Sequence, residues 1–216
     1  MAQGGIISDV ATTIPMSLAT QRTRGLNRIV PTTTETARHF IATFHYLGNK
    51  GFLCSRAYAL IDQMGRLNGC AVFHPPSSEE TVIGAFGSSD QGGHWELGRL
   101  ALRPSENGGN SGSFLVSGSI RLLSRTTPTK SVIAYSDSDR HVGAVYQAAN
   151  FTYCGMTDAK KDFFVGGMVQ ERGRVAGVGG EWRQRPRKHR YIILLDKRLN
   201  LLWQTEPYPK KPYSND

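Results

Sequence analysis

Cysteine is scarce in this 216-residue chain: Cys54, Cys70 and Cys154 are odd in number, far apart and never arranged as CxxC. That excludes a disulfide framework and a zinc-cysteine site and points to a reducing compartment. Long apolar runs are absent as well. None approaches the roughly 20 residues that span a bilayer, and no basic head with an apolar run behind it opens the sequence. The expectation is a soluble, cytoplasmic protein without a membrane partner. Three signatures are also missing: a strand leading into a GxGxG loop, an Asn/Asp-Pro-Pro-Tyr/Phe motif of base methyltransferases, and the PCxxC that a zinc deaminase needs beside His94-Trp95-Glu96. Methyl transfer and deamination are thereby disfavoured. No internal repeat is present.

Acidic residues are few relative to basic ones, giving a net charge of +9 and a pI near 9.7. The excess is C-terminal: residues 158–216 hold 13 Lys/Arg against 7 Asp/Glu, and residues 1–157 hold 13 against 10. Its densest part is Arg183, Arg185, Arg187, Lys188 and Arg190, behind a glycine-rich run from Gly173 to Gly180. Clustered cations suit a polyanion, because neutralising phosphates releases condensed counterions; a solvated charged loop is the plain alternative.

At this length one α/β domain with a real core is expected, with extensions. Residues 1–24, rich in Ser, Thr, Ala and Gly, read as a flexible arm, residues 25–200 as the domain with a basic Gly-rich insertion at about 170–190, and residues 201–216 as a tail. Asn27 to Pro31 reads as an edge strand, and Thr34-Glu35 opens a helix ending near Gly48. Ala57 to Ile61 and Gly69 to Phe73 read as strands joined by a turn at Asp62 to Gly65, followed by a polar stretch with prolines. Trp95 to Leu102 is a strand, Arg103 to Gly112 a loop, Ser113 to Ser124 a helix, and Tyr191 to Leu195 a late strand. The class is mixed α/β, an α+β sheet flanked by helices.

Ala134 to Gly155, AYSDSDRHVGAVYQAANFTYCG, is the densest stretch. A strand over Val132 to Tyr135 stops at Ser136-Asp137-Ser138-Asp139, whose side chains cap a helix from about Arg140 to Ala149. Val142, Val145 and Ala149 are expected to face the sheet, and Gly143, Tyr146, Gln147 and Asn150 to form a polar face over a cleft. Phe151, Tyr153 and Gly155 begin a strand almost without a loop. This layout resembles the last motif of the GNAT N-acyltransferase superfamily, A-x-x-x-Y-x-x-x-x-F, with Val142 in place of the alanine. VYQAANFTYCG, with FHYLG at 44–48, ELGRLAL at 96–102, RYIILLDKR and PYPKK, further resembles the Mom family of phage DNA-modification proteins, in the family's order across residues 44–211.

Several side chains stand out as candidates for chemistry. Asp137 lies just past a strand's carboxyl end, where α/β sheets build sites, and is expected to accept a proton from the attacking amine or orient it; Asp139 is expected to be the cap. The resemblance implies that Tyr146 protonates a departing thiolate, the plain alternative being a tyrosine that fills core space. Arg99 shares a face with Leu97 and Ala101 in an apolar strand and needs a partner: a bound carboxylate or phosphate, or else an ion pair with Asp137 or Asp139. His45 is a candidate base or ligand and Tyr46 a stacking surface for a base. The resemblance implies an acyl-CoA such as acetyl-CoA, or a related donor, at the loop before the second long helix. The expected binding residues are Leu100, Leu102, Arg103, Gly108, Gly109, Asn110, Ser111, Gly112 and Ser113, through amides at a helix N-terminus. Arg103 is followed by Pro104 and the glycines come late, so the register departs from the superfamily pattern.

The resemblance implies a GNAT-like single domain that adds a methylcarbamoyl (acetamide-type) group to the N6 amine of adenine in double-stranded DNA, protecting it from restriction in the host cytoplasm. Acetyl transfer alone cannot yield that group, so another donor, further elaboration or a metal is implied; His45, Tyr46 and Asp137 are an oxygen/nitrogen set for iron, at no recognised ligand spacing. Two other readings stand beside it: an N-acetyltransferase acting on a protein, peptide or small amine, and a non-catalytic nucleic-acid-binding protein. A homodimer is an open alternative to a monomer.

Overall fold

The computed structural model describes residues 21–22, 27–106, 109–170 and 179–210. Most of the expected N-terminal arm, Gly108 and most of the glycine-rich run lie outside the described residues. Strand β1 (Gln21–Arg22) pairs with β2 (Arg28–Thr32), so β2 is not an edge. Helix α1 (Thr34–Phe44) follows, with the Thr33 hydroxyl accepting from the Thr36 amide as its N-cap. Strands β3 (Arg56–Ile61) and β4 (Leu67–His74) are joined by a turn in which the Asp62 carboxylate accepts from the amides of Met64 and Arg66.

The polar stretch after β4, to which no element was assigned from sequence, contains helix α2 (Glu79–Phe86). Its signals are local: Ser78 caps it, Glu79 and Glu80 fill the first turn, and Gly87 closes it in the left-handed region. Then come β5 (His94–Leu102), α3 (Ser111–Thr126), β6 (Ser131–Asp137), the short α4 (Ala144–Ala148) and β7 (Thr152–Met156). Strands β8 (Lys160–Val165), β9 (Met168–Val169) and β10 (Glu181–Arg185) form a separate three-stranded sheet, and β11 (Lys188–Leu194) returns to the main one. Among the described residues no helix is long and apolar enough to cross a membrane.

The main sheet has the order β1-β2-β3-β4-β5-β6-β11-β7, and every neighbouring pair is antiparallel except β5 with β6. Helices cover both faces. Leu115, Leu122 and Leu123 of α3 and Tyr146 of α4 pack with Leu60, Phe73, Leu97 and Tyr191 on one side. On the other, Phe40 and Ile41 of α1 pack on Cys70 and Val72, while Phe86, Leu201 and Trp203 pack on Ile133 and Ile192. Such two-sided burial explains why β3 and β4 read as continuous apolar runs.

Two irregularities set up the site. Phe73 pairs with Leu97 and Val72 with Arg99, leaving Gly98 as the extra residue of a bulge. The bulge changes the strand's phase: Leu97 faces α3, but Ala101 faces α1. The expectation that Arg99 shares a face with Leu97 is therefore corrected. Pairing of β5 with β6 also stops at Leu97–Ala134, so Gly98 to Leu102 have no strand on that side and the sheet splits.

The helix expected from Arg140 to Ala149 is confined to α4, because Gly143 takes a left-handed φ of 73° at its N-cap. Its facing is also corrected, since Tyr146 lies only 6% exposed between Phe151 and Tyr191. Asn150, at φ 61°, turns the chain at once into β7, and the Phe151 amide bonds back to the Tyr146 carbonyl at 3.0 Å. Part of the expected tail is ordered against the sheet. The Leu202 amide donates to Ala85 O, Glu206 N to Tyr153 O, Tyr208 OH to Phe151 O, and Gln147 Nε2 to Pro209 O.

A Cβ at position 143 would lie 2.7 Å from the Tyr191 ring and 2.9 Å from Ser136 Oγ, on a backbone that L-residues rarely adopt. Gly143→Ala is expected to cost about 1–3 kcal/mol from the backbone conformation alone, read as a lower urea midpoint at an unchanged m-value; a midpoint equal to wild type would refute the constraint.

Candidate active site

A cavity of about 400 Å³ occupies the split between β5 and β6. The turn after α1 supplies His45 and Tyr46, β5 supplies Glu96 to Leu102, β6 supplies Tyr135 and Asp137, α4 and the segment before it supply His141, Val145 and Tyr146, and β11 supplies Lys188. Asp137, Tyr146, His45, Tyr46 and Arg99, singled out in the sequence, thus share one cavity. Glu96, His141 and Lys188 join them without having been singled out for it. Glu96 opens the quoted ELGRLAL block as a carboxylate in an apolar strand, and that was the available signal.

Asp137 is the electrostatic centre. Its Oδ2 accepts from the Tyr46 hydroxyl, and its Oδ1 lies 3.4 Å from Lys188 Nζ. Burial alone would raise its pKa, but the Tyr46 hydrogen bond and the Lys188 charge hold it below the usual carboxylate range. Burial and the Asp137 contact push Tyr46 upward. The Tyr46 ring also stacks on His45, at 4.5 Å, and lies 4.3 Å from the Arg140 guanidinium, so this chain's own groups engage the expected stacking surface.

His45 Nδ1 accepts the Leu47 amide at 3.2 Å, which leaves the proton of the neutral ring on Nε2. Burial and then the Arg99 charge lower its pKa to about 4. His45 therefore enters the cavity near neutral pH as a neutral ring with its proton on Nε2. Tyr146 is pushed up by burial first and then by Tyr46 and Asp137, so it stays protonated; its hydroxyl is 3.5 Å from Tyr135 O.

Arg99 does not pair with either of the aspartates offered as its partners. It donates to the carbonyls of Gly98 and Lys50 at 2.6 Å and of Gly51 at 3.4 Å, bracing the turn that carries His45 and Tyr46, while its Nε is buried without a partner. Arg103 likewise turns away from the α3 loop: its Nε donates to Leu67 O at 2.7 Å, and its guanidinium lies over the Phe44 ring.

Leu100 and Leu102 line the cavity. Near the N-terminus of α3, Gly109 is open, Asn110 makes no side-chain cap bond, and no acidic residue occupies the first turn. The Ser111 hydroxyl is held by Glu106 and that of Ser113 by Asn110 O. Gly112 is the contact with the site, since a Cβ there would come 2.9 Å from Val145 Cγ2. The first amides of α3 have no intrahelical acceptors, which suits an anionic group.

The five clustered cations do not form one patch. Arg183 pairs with Glu181 and Arg185 with Asp162 on the small sheet; Arg187 donates to Thr157 O, Lys188 enters the cavity, and Arg190 bonds Cys154 O and covers Trp203 on the far face of the sheet. Among the described residues no three His, Cys, Asp or Glu side chains gather as a metal set. Tyr46 and Asp137 are bound to each other, and Asp137 to Lys188. That arrangement does not fit the expected iron site.

Residues 27–214 match the Mom protein family. The chain belongs to that family. Its fold is that of the GNAT acetyltransferases: it is similar to the ribosomal-protein-S5-alanine acetyltransferase from Vibrio fischeri at a TM-score of 0.51 and 11% identity, over 86% of this chain and 99% of that one. A GNAT family acetyltransferase from Elizabethkingia anophelis with acetyl-CoA bound aligns at a TM-score of 0.48 and 15% identity, over 80% and 100% of the two chains. No curated protein matches the chain.

The lowered pKa of His45 gives a signed stability prediction. Between the ordinary value of 6.5 and about 4 the unfolded histidine binds a proton that the folded one refuses, so folding stability falls as pH drops through that window. His94, His141 and His189 are also lowered and add in the same direction. Melting temperatures of wild type and His45→Asn at pH 7 and pH 4.5 should show a smaller acid-induced loss in the variant; equal losses would contradict the assignment.

Proposed function

We propose that this Mom-family protein is an acyl-transfer enzyme that modifies the N6 amine of adenine in DNA with the methylcarbamoyl group associated with its family. Family membership and the GNAT fold support the acyl-transfer role. The observation that carries the reading is the convergence of Asp137, Glu96, Tyr146 and Lys188 in one cavity at the split of β5 and β6.

An acyl-CoA fits the split. The unpaired edge of Gly98 to Leu102 offers backbone donors and acceptors, Leu100 and Leu102 offer apolar contact, and the first amides of α3 are suited to an anionic group. When bound, the thioester supplies an activated acyl carbon and a sulfur leaving group. Asp137, held ionised, orients the amine and accepts its proton as the N–C bond forms, with Glu96 as a second carboxylate in reach of the cavity. Tyr146, held protonated, returns a proton to the departing sulfur. His45 donates from Nε2, and Lys188 keeps Asp137 charged.

Plain acetyl transfer leaves an acetylated amine without the amide nitrogen of a methylcarbamoyl group. The donor is thus a related activated species, or the adduct is elaborated further. To enter the cavity, adenine must leave the stack at a cost of a few kcal/mol. Lys188, which lines the cavity, and its exposed neighbour Arg187 suit the phosphates of double-stranded DNA.

The test is mass spectrometry of nucleosides digested from plasmid DNA in cells expressing the protein. A heavier deoxyadenosine is expected with wild type, reduced about 100-fold or more by Tyr146→Phe and by Asp137→Asn. Unmodified DNA with soluble wild-type protein, together with acetyl transfer from acetyl-CoA to a free amine, would move the assignment to an N-acetyltransferase with a non-DNA acceptor.

A further inference from the structure

The small sheet of β8, β9 and β10 has two unlike faces. In its register Trp182 pairs with Phe163, Gln184 with Lys161 and Met168 with Val165, which places Phe163, Val165, Met168 and Trp182 together on one side. The other side carries two ion pairs, Arg183 with Glu181 and Arg185 with Asp162, beside Lys160, Phe164 and Val169. The apolar side takes no part in the three hydrophobic clusters that hold the domain together. Trp182 remains 58% exposed and Met168 70% exposed. Folding does not account for an exposed tryptophan and methionine on so small a sheet, and grouped exposure of this kind marks an interaction surface.

Charge identifies the partner. The described residues between 158 and 188 carry six cations against three carboxylates. Lys160, Lys161 and Arg187 are exposed and have no carboxylate partner among the described residues.

The base of this sheet is fixed to the cavity rim. Thr157, the residue after β7, exchanges hydrogen bonds with Lys188, which in turn holds Asp137. Trp182 precedes Lys188 by six residues, so it lies at most about 20 Å from the rim, within roughly half a helical turn of DNA. The antiparallel β8/β10 pair is a two-stranded ribbon of the kind that the major groove admits, and that groove presents adenine N6.

We propose that the β8–β10 sheet is a DNA-docking arm. Its Trp182/Met168 face enters the major groove beside the modified adenine, and Lys160, Lys161 and Arg187 lie against the flanking phosphates. The proposal rests on DNA being the acceptor.

Anisotropy titrations of a fluorescein-labelled random-sequence duplex test it, with wild type, Trp182→Ala, Trp182→Phe and Met168→Ser. Trp182→Ala is expected to weaken binding about tenfold, as loss of one aromatic contact to a base does. Trp182→Phe should recover most of that loss, and Met168→Ser should weaken binding at an unchanged melting temperature. Light-induced cross-linking to 5-iododeoxyuridine, whose iodine lies in the major groove, should label the Trp182 peptide. Absence of wild-type binding would overturn the DNA acceptor itself. Tight wild-type binding with unaffected variants and no cross-link in the arm would overturn the arm alone. A wild-type dimer that Trp182→Ala converts to monomer without loss of DNA affinity would make a second copy of the chain the occupant and overturn it equally.

Discussion

Two adjacent strands that stop pairing halfway are the constraint on which the site depends. β5 and β6 are held together only from His94–Ser131 to Leu97–Ala134. Beyond that point the backbone groups of Gly98 to Leu102 on the β6 side have no strand to satisfy them. A dry gap there would be costly, so the fold tolerates the split only because it is wet or filled from outside. The Gly98 bulge shifts the strand's alternation by one residue, so Trp95 and Leu97 before it and Leu100 and Leu102 after it pack on the α3 side, while Ala101 faces α1. Glycine suits the bulge because a Cβ would meet His74 Nε2 at 2.3 Å.

Around that gap the ionisable groups are arranged so that each holds one protonation state. Asp137 is kept charged by Tyr46 and Lys188, while burial keeps Tyr146 protonated and His45 neutral. A site with one stabilised anion and two stabilised neutral donors is prepared to take one proton and give another, as transfer from a leaving group to an amine requires. Arg99 contributes differently from a bound counter-ion. By tying the carbonyls of Lys50 and Gly51 to β5, it sets where His45 and Tyr46 can sit, and its charge depresses His45.

Much of this was legible from residue order, and the failures have local causes. Strands β3, β4, β5 and β6 and helices α1 and α3 follow from apolar periodicity and turn residues. The family follows from separated blocks, and five side chains named for chemistry meet in one cavity. Helix α2 was missed because two prolines and several polar residues masked a Ser cap and a glycine stop. The small sheet was missed because cations and glycines dominate its segment and hide the alternation of Phe163, Val165 and Trp182. Periodicity also assumed a long helix at Tyr146, whereas Gly143 shortens it and turns the tyrosine inward. Partners of Arg99 and Arg103 were not legible at all, since backbone carbonyls brought close by the fold leave no trace in sequence.

The segment from Leu202 to Pro209 lies against α2, β7 and α4 through backbone and side-chain hydrogen bonds, one of them from Gln147, the neighbour of Tyr146. During synthesis this segment emerges after every strand of the sheet has been made. Until then α4 lacks its outer support, so assembly of the site is coupled to synthesis of these residues. A prematurely terminated product ending before them would carry the strands and the cavity-lining residues without the brace that fixes the tyrosine helix.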